Sequence, residues 1–571
     1  MKLLKLTIGN IPENFRSLHP GFEINFHSLS DTEAMEQFRP FCFAGLNGSG
    51  KSNVLETLAN IFYHLEICVA RYLPDSMRDI KNFNRNVCSL DAFTLEYLIG
   101  QNSSKVYALY YFHKVTIEKE VGKEPEMYIQ EFPFDKSVEK IKIELNPTVG
   151  SEQSAPGKSY LPDHIIGYSS GENEILSVPF IKSRLVHLDE YKQNTKAGAF
   201  TFVSSENSLI YINSNMSQAV LLACLLLEND EALKPIKDID NTGIVDLKSF
   251  RMNINLHKFE FQNDNTQNIL QLLENDKIEK LKKCATSWYS NSKHLILDFY
   301  VNDATKVAFR KHFDDNPFEL FQVFQILYEL NSHFITEGIK RDVYQSKGIY
   351  TDGKLPYGSP NDNVFYFLDF YITKKFKKDG VVKDLLLREF SDGEHQFLHT
   401  VGICLLLKGS RSLLLLDEPE THFNPNWRAN FINILNESIT AGNKRNYPNG
   451  SFNVHYLKDI LLTSHSPFII SDCLPDNVIL FEKDDKGILS AKKASELGID
   501  TYGTSVNLLT NRIFKNKETI GKYALSKLND YKKKFAIAQD KQQIIDELNE
   551  EFGDSIEKLL LIKELTNKQP F

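Results

Sequence analysis

One stretch narrows the possible folds more than any other: FCFAGLNGSGKSNVLETLANIFYHL, Phe41 to Leu65. It opens with apolar and small residues that predict a buried strand. It continues through Gly45-x-x-x-x-Gly50-Lys51-Ser52 and ends in a helical pattern with Val54, Leu55, Leu58, Ile61 and Phe62 on one side. A strand, a glycine loop and a helix in that order form the context of a phosphate-binding loop. The glycines let backbone N–H groups turn inward around an anion, and the helix N-terminus adds its partial positive charge. Asn47, Gly48, Ser49 and Asn53 complete the candidate cradle, with Lys51 placed to reach the β- and γ-phosphates and the Ser52 hydroxyl to hold Mg²⁺. The stretch predicts a nucleotide site.

A second stretch supplies acids. SLLLLDEPETHFNPNW (Ser412–Trp427) carries four leucines that read as a central parallel strand and ends in Asp417-Glu418. Two adjacent carboxylates at a strand end are costly to bury without a cation, so Asp417 is the candidate to orient Mg²⁺. Glu418, one residue on, is the candidate to position and polarise an attacking water. About 45 residues later DILLTSHSPFIISDC (Asp459–Cys473) reads as another apolar strand. That strand should lie beside the one ending in Asp417, which puts His465 within reach of a γ-phosphate.

Bulk properties exclude other classes. At 571 residues the chain is long enough for several lobes, and 42% hydrophobic residues with 25% charged describe a globular protein rich in aromatics, with 40 Phe and 24 Tyr. The N-terminus MKLLKLTIGN shows no apolar run followed by a cleavage site, and the longest apolar stretches, such as Ala219–Glu228, fall short of the ~20 residues that span a bilayer. Seven scattered cysteines, with no C-x-x-C, fit reduced thiols and give no zinc site. The expectation is a cytoplasmic protein without membrane contact. A net charge of −9 argues against a chain that coats nucleic acid by itself. The short basic runs at Lys280–Lys283, Lys374–Lys378 and Lys532–Lys534 read as solvated faces.

A polar island, FSDGEHQ (Phe390–Gln396), separates two apolar runs. Ser391 followed by Glu394 three residues later is a capping-box pattern, and the helix start it predicts points at an anion. Gly45–Ser52, Ser391–Glu394, Leu413–Glu418 and His465 then resemble, in order and sense, the phosphate loop, signature, Walker B and switch-histidine elements of ATP-binding-cassette ATPases. DEPETHFNP and TSHSPFI look most like the soluble branch of that family, with the DNA-repair and SMC-like enzymes and the overcoming-lysogenization-defect ATPases. The family signature usually has two glycines; here Asp392 stands in the place of the first and Gly393 keeps the second. The resemblance implies ATP and Mg²⁺ as ligands and a head-to-tail homodimer, or a higher oligomer built from it. In that dimer Ser391, Gly393 and Glu394 of one chain cap the γ-phosphate held by the other. Asn424 and Pro425 match the loop that crosses the dimer seam in such relatives.

LPDHIIGYSSGENEILSVPF, LIYINSNMSQAVLLACLLL, LREFSDGEHQFLHTVGICLLL and TYGTSVNLLTNRIF carry a narrower resemblance, to the ATPase family of Septu antiphage systems (PtuA), which also occurs beside some retrons. It implies a bacterial defence ATPase that works with a small HNH-type endonuclease (PtuB-like), with DNA reached through that partner. A retron reverse transcriptase and its RNA/DNA product are further implied partners.

These readings predict an α/β fold, a two-lobed ABC-type P-loop ATPase head with a compact, mainly helical insert and a C-terminal helical extension. Residues 1–204 form the N-terminal lobe, 205–385 the insert, 386–500 the C-terminal lobe, and 501–571 an amphipathic extension suited to partner docking. Ser169-Ser170-Gly171-Glu172-Asn173, after a strand-like HIIGYSS, is the candidate γ-phosphate-sensing loop. No sustained heptads predict a long coiled-coil arm. After Asp485 only 86 residues remain, without an Asp-x-Asp behind an apolar strand, and the 15 histidines form no HNH-like cluster. Nuclease activity is therefore expected only from another chain. The competing reading is an ATP-dependent DNA-clamping ATPase of the repair or SMC-like kind, which needs a basic groove across a closed dimer.

Overall fold

The computed structural model describes residues 1–31, 35–78, 86, 88–100, 111–148, 153–171, 174–196, 205, 207–213, 216–256, 273–346, 355, 363–407, 411–441, 458–516 and 518–567. Its centre is a seven-stranded sheet. Strand β3 (Phe41–Gly45) lies between β17 (Val478–Lys483) and β16 (Lys458–Thr463), and the sheet continues through β15 (Ser412–Asp417) and β8 (His164–Ser169) to β9 (Leu209–Tyr211). These six pair in parallel, and β18 (Leu489–Lys493) closes one edge antiparallel to β17. Every residue of β3, β15 and β16 is buried, which explains their continuous apolar runs.

Strand alternation splits the interior into two cores. Leu413 and Leu415 of β15, with Phe41 and Phe43 of β3, face helix α1 (Lys51–Val69) and a six-stranded antiparallel sheet. That sheet runs β2 (Glu23–Asn25), β1 (Lys2–Ile8), β4 (Phe93–Gly100), β5 (Phe112–Lys119), β6 (Glu126–Glu131) and β7 (Ile141–Ile143). Leu414 and Leu416, with Cys42 and Ala44, face the other way, toward α3 (Ser217–Leu227) and α7 (Asp392–Leu406). The preceding α2 (Glu174–Lys196) packs on α1. The two sheets are pinned together by Asp459, at the start of β16. Its buried carboxylate accepts from Leu3 N at 2.6 Å, His27 Nε2 at 2.8 Å and Lys2 Nζ at 3.3 Å.

Residues 205–385 carry helices α3, α4 (Asp303–His312), α5 (Pro317–Leu330) and α6 (Glu337–Gln345). They also carry a five-stranded antiparallel sheet that the sequence reading did not resolve. Its order is β11 (Ser287–Ser290), β12 (His294–Tyr300), β10 (Ile244–Asn255), β13 (Phe365–Lys375) and β14 (Val382–Leu386). Its inner face is held by rings, with Phe250 stacked on Phe299 at 4.3 Å and Phe324 edge-on to Phe367 at 5.2 Å. Strand β9 falls within the same span but lies on the edge of the central sheet. Toward the C-terminus, beyond α8 (Pro425–Ala441), α9 (Val506–Phe514) buries Leu509 and Ile513 in the main core. Helices α10 (Lys522–Ile537), α11 (Lys541–Glu551) and α12 (Ile556–Asn567) close over a small core of their own around Leu528, Tyr531, Phe535 and Leu548.

Candidate functional site

In register across the central sheet, Asp417 of β15 stands beside Ser169 of β8 and Thr463 of β16, and Thr463 beside Phe43 of β3. The carboxyl ends of four parallel strands therefore open into one crevice, where α/β sheets bind ligands. Gly45, Gly48 and Gly50 take positive φ values of 150°, 72° and 93°. A Cβ on Gly45 would stand 2.6 Å from Phe481 O, and one on Gly50 2.3 Å from Ser17 Oγ, so neither position has room for a side chain. Gly50 is the N-cap of α1, which aims its first N–H groups at the loop. Leu46, Asn47 and Gly48 form the exposed tip, Ser49 is buried with its Oγ unpartnered, and Asn53 N donates back to Gly50 O at 3.2 Å.

Lys51 folds over this loop. Its ammonium donates to Gly45 O and Leu46 O, both at 3.2 Å, and lies 3.0 Å from His465 Nε2. The same Nε2 is 3.2 Å from Glu418 Oε1. A neutral imidazole nitrogen accepts from Lys51 or donates to Glu418, but not both, so the three groups share one proton position. The hydrogen bond to His465 holds the Glu418 carboxyl below its usual range, and the charges of His465 and Lys51 help it against burial. Burial lowers Lys51 from its ordinary value, against the attraction of Glu418 and Asp417. Glu418 sits at φ 48°, an uncommon conformation for a residue with a side chain.

Asp417 Oδ1 accepts from Ser52 Oγ and from Thr463 Oγ1, both at 2.7 Å, and Thr463 Oγ1 in turn accepts from Glu418 N at 2.9 Å. Thr463 thus fixes both acids, a role no local motif announces. Nearby, Glu420 is buried and bonded to the Ser464 hydroxyl, which also accepts from Ser466 N at 2.9 Å. Burial pushes the Glu420 carboxyl up to about 7. Lys483, also absent from the sequence reading, donates to Gly48 O at 2.8 Å and ties the loop tip to β17. Both contacts join residues distant in the chain, so no short motif marks them.

The crevice fits a nucleotide with Mg²⁺. A glycine cradle without Cβ atoms, a helix N-terminus and a buried ammonium suit phosphate, while the Ser52–Asp417 pair offers two hard oxygens to a cation. Among the described residues no three His, Cys, Asp or Glu side chains gather as metal ligands. Ser52 and Asp417 would supply part of the shell, and phosphates and water the rest. Of the candidate sensing loop, Ser170 N donates to Asp417 O at 3.2 Å and Ser170 Oγ meets Thr421 Oγ1 at 3.0 Å. Glu172 and Asn173 lie outside the described residues.

The structure brings the phosphate loop, Asp417, Glu418 and His465 together, while among the described residues Ser391, Gly393 and Glu394 share no hydrogen bond or ion pair with them. Those three start α7, where the expected capping box forms: Ser391 N donates to Glu394 Oε2 at 3.0 Å and Glu394 N to Ser391 Oγ at 3.4 Å. Lys374 of β13 pairs with the Glu394 carboxylate and lies over the Phe390 ring, 4.6 Å from its centroid. A Cβ on Gly393 would stand 2.8 Å from His422 O, so this glycine permits close packing on the segment after the acids. Ser391 and Asp392 are exposed.

Comparison with solved structures returns SMC head domains. The Pyrococcus furiosus head with an extended coiled coil, bound to the C-terminal domain of ScpA, is 11% identical at a TM-score of 0.29, over 87% of this chain and 98% of that one. The Thermotoga maritima SMC head domain is 10% identical at 0.30, over 86% and 99%. No curated protein matches the sequence. A family model described as "AAA domain, putative AbiEii toxin, Type IV TA system" matches residues 170–471, more than half of the chain and including Asp417, Glu418 and His465. The chain belongs to this family of AAA ATPase domains.

Proposed function

We propose that the chain binds ATP with Mg²⁺ in the crevice and hydrolyses it in a head-to-tail dimer, and that this cycle controls a separate nuclease. The observation that carries the reading is the convergence of Lys51, Ser52, Asp417, Glu418 and His465 at the carboxyl ends of adjacent parallel strands. Gly45 to Asn53 hold the phosphates through backbone N–H groups, and Ser52 and Asp417 hold Mg²⁺, which neutralises charge on the phosphate oxygens when bound. A γ-phosphate competes for the Lys51 ammonium and the His465 imidazole. His465 then leaves Glu418, whose carboxylate loses the hydrogen bond that held it low and is free to take a proton from the attacking water. His465 stabilises charge that develops on the transferred group. Asp417 stays oriented by Thr463 throughout.

The dimer reading is supported by α7, whose exposed, capped N-terminus makes no hydrogen bond or ion pair to its own phosphate loop among the described residues. The division into lobes 1–204 and 386–500, insert 205–385 and extension 501–571 belongs to the same proposal. The nuclease partner, HNH-type and antiphage in purpose, rests on the sequence resemblance to Septu ATPases. A tagged purification in ATP from the native operon should co-elute a stoichiometric small nuclease. A lone ATPase would remove that part.

Phosphate release tests the chemistry. Glu418→Gln should bind ATP while turning over about 10²–10⁴-fold more slowly, and Lys51→Ala should lose nucleotide retention. Unchanged turnover in Glu418→Gln would remove Glu418 from the role of base, and wild-type nucleotide affinity in Lys51→Ala would move the site elsewhere.

A further inference from the structure

At the end of the central sheet opposite the phosphate loop lies a cavity of about 750 Å³. Its wall forms where three elements of the candidate site have their far ends. Arg71 follows α1, Asp163 and His164 lead into β8, and Arg411 immediately precedes β15.

Among the described residues three cations, Arg71, Lys158 and Arg411, line the cavity against one acid, Asp163. The counter-charges of the first two stand behind the wall. Glu190 is 3.4 Å from Arg71 and Glu66 is 2.6 Å from Lys158, with side-chain exposures of only 9% and 3%. Arg411 is held by Asp163 and by the carbonyls of Gly100 and Ser159 at 3.0 and 3.1 Å. Arg411 commits four of its five N–H donors to these partners and the Lys158 ammonium faces both Glu66 oxygens, so each keeps a donor for one further acceptor. On α2, one turn from the lining residue His187 and on the same face, the Arg184 guanidinium is buried with its Nε unpartnered. Burial alone would lower His187, but the Glu329 carboxylate, 2.9 Å from its Nδ1, outweighs it and raises the imidazole. Another part of the wall is uncharged: His164, pushed down to about 4 by burial, meets the Phe318 ring at a centroid distance of 4.3 Å with the planes tilted by 38°. Asn207 and Gln322 add amide donors and acceptors.

The geometry points to a second ligand site, for a nucleoside phosphate, with the phosphate on Arg71, Lys158 and Arg411, the base against His164, and its edge read by Asn207 and Gln322. A cavity of this size suits one such molecule. The site is separate from the phosphate loop and does not depend on the reading given to it. Because its wall grips the far ends of α1, β8 and β15, a ligand here bears on the elements that carry Ser52, Ser169 and Asp417.

The test uses the full-length chain carrying Lys51→Ala, which takes the phosphate loop out of the measurement. Calorimetric titration with the four ribonucleoside 5′-monophosphates should give saturable binding of at least one of them, one per chain. Asn207→Asp adds a charge to the wall while keeping an acceptor for Leu209 N, now 3.1 Å from Asn207 Oδ1, so it should leave the fold intact. Arg71→Gln removes a charge at the phosphate and should weaken binding about tenfold or more, while Asn207→Asp removes an amide donor at the base edge and should change which of the four monophosphates binds. No saturable binding by any of the four, or binding that neither substitution alters, would overturn the assignment.

Discussion

Glu418 shows how one residue collects constraints from three others. Its N–H is fixed by Thr463, its carboxylate by His465, and the imidazole by Lys51, while its left-handed backbone conformation turns the chain directly after Asp417. Glu420, two residues on, is governed mainly by burial, which outweighs its bond to the Ser464 hydroxyl. Its carboxyl rises to about 7 from an ordinary 4.5, so the folded state holds a proton that the unfolded state has released between those values. Stability should therefore fall as pH rises from about 4.5 to about 7 and level off above, by about 3 kcal/mol for such a gap. Glu420→Gln keeps an acceptor for Ser464 and should flatten that part of the denaturation profile. An unchanged slope would place the titration on another group. At this scale the sequence was informative where chemistry is local, as in the phosphate loop and the Asp417-Glu418 pair. Thr463 and Lys483 were not legible, since each acts on a residue that only sheet pairing brings near.

At the scale of elements, the buried strands were readable because burial on both faces leaves no polar alternation in SLLLLD or DILLT. Strand β10 was not. Its partner β13 shifts register between Ile244 and Asp246, between Leu247 and Ser249, and between Ser249 and Arg251, and these irregularities break the period-two pattern. The capping box at Ser391 was legible because both partners lie within four residues. The junction of the first two sheets was not, for Asp459 meets Lys2, Leu3 and His27 across more than 400 positions. Burial alone would raise this carboxyl, but His27 and Lys2 outweigh it and hold it at about 2. Its contribution is present above an unfolded value near 3.8 and is lost as pH falls toward about 2. Asp459→Asn should cost about 3 kcal/mol in denaturant unfolding at neutral pH, because Lys2 loses its buried partner. A loss under ~1 kcal/mol would show that the junction rests on apolar packing instead.

Across the whole molecule, the central sheet separates two cores and carries the candidate catalytic crevice on one end and the polar cavity on the other. The ATPase character of the chain and the order of its motifs were visible in the sequence; the five-stranded sheet and the cavity appear only once distant segments pack. The proposed dimer supplies what one chain lacks, an anion-directed helix start opposite the phosphate loop. Mixing two inactive chains tests that most directly. Lys51→Ala disables one half of each site, and Ser391→Asp keeps an N-cap while placing a negative charge where the γ-phosphate would be met. In a one-to-one mixture, half of the dimers pair unlike chains and each then holds one intact site. Phosphate release should return to about a quarter of the wild-type rate if sites act independently. Wild-type activity in Ser391→Asp alone, or no recovery in the mixture when both chains are folded and paired, would contradict a site built from two chains.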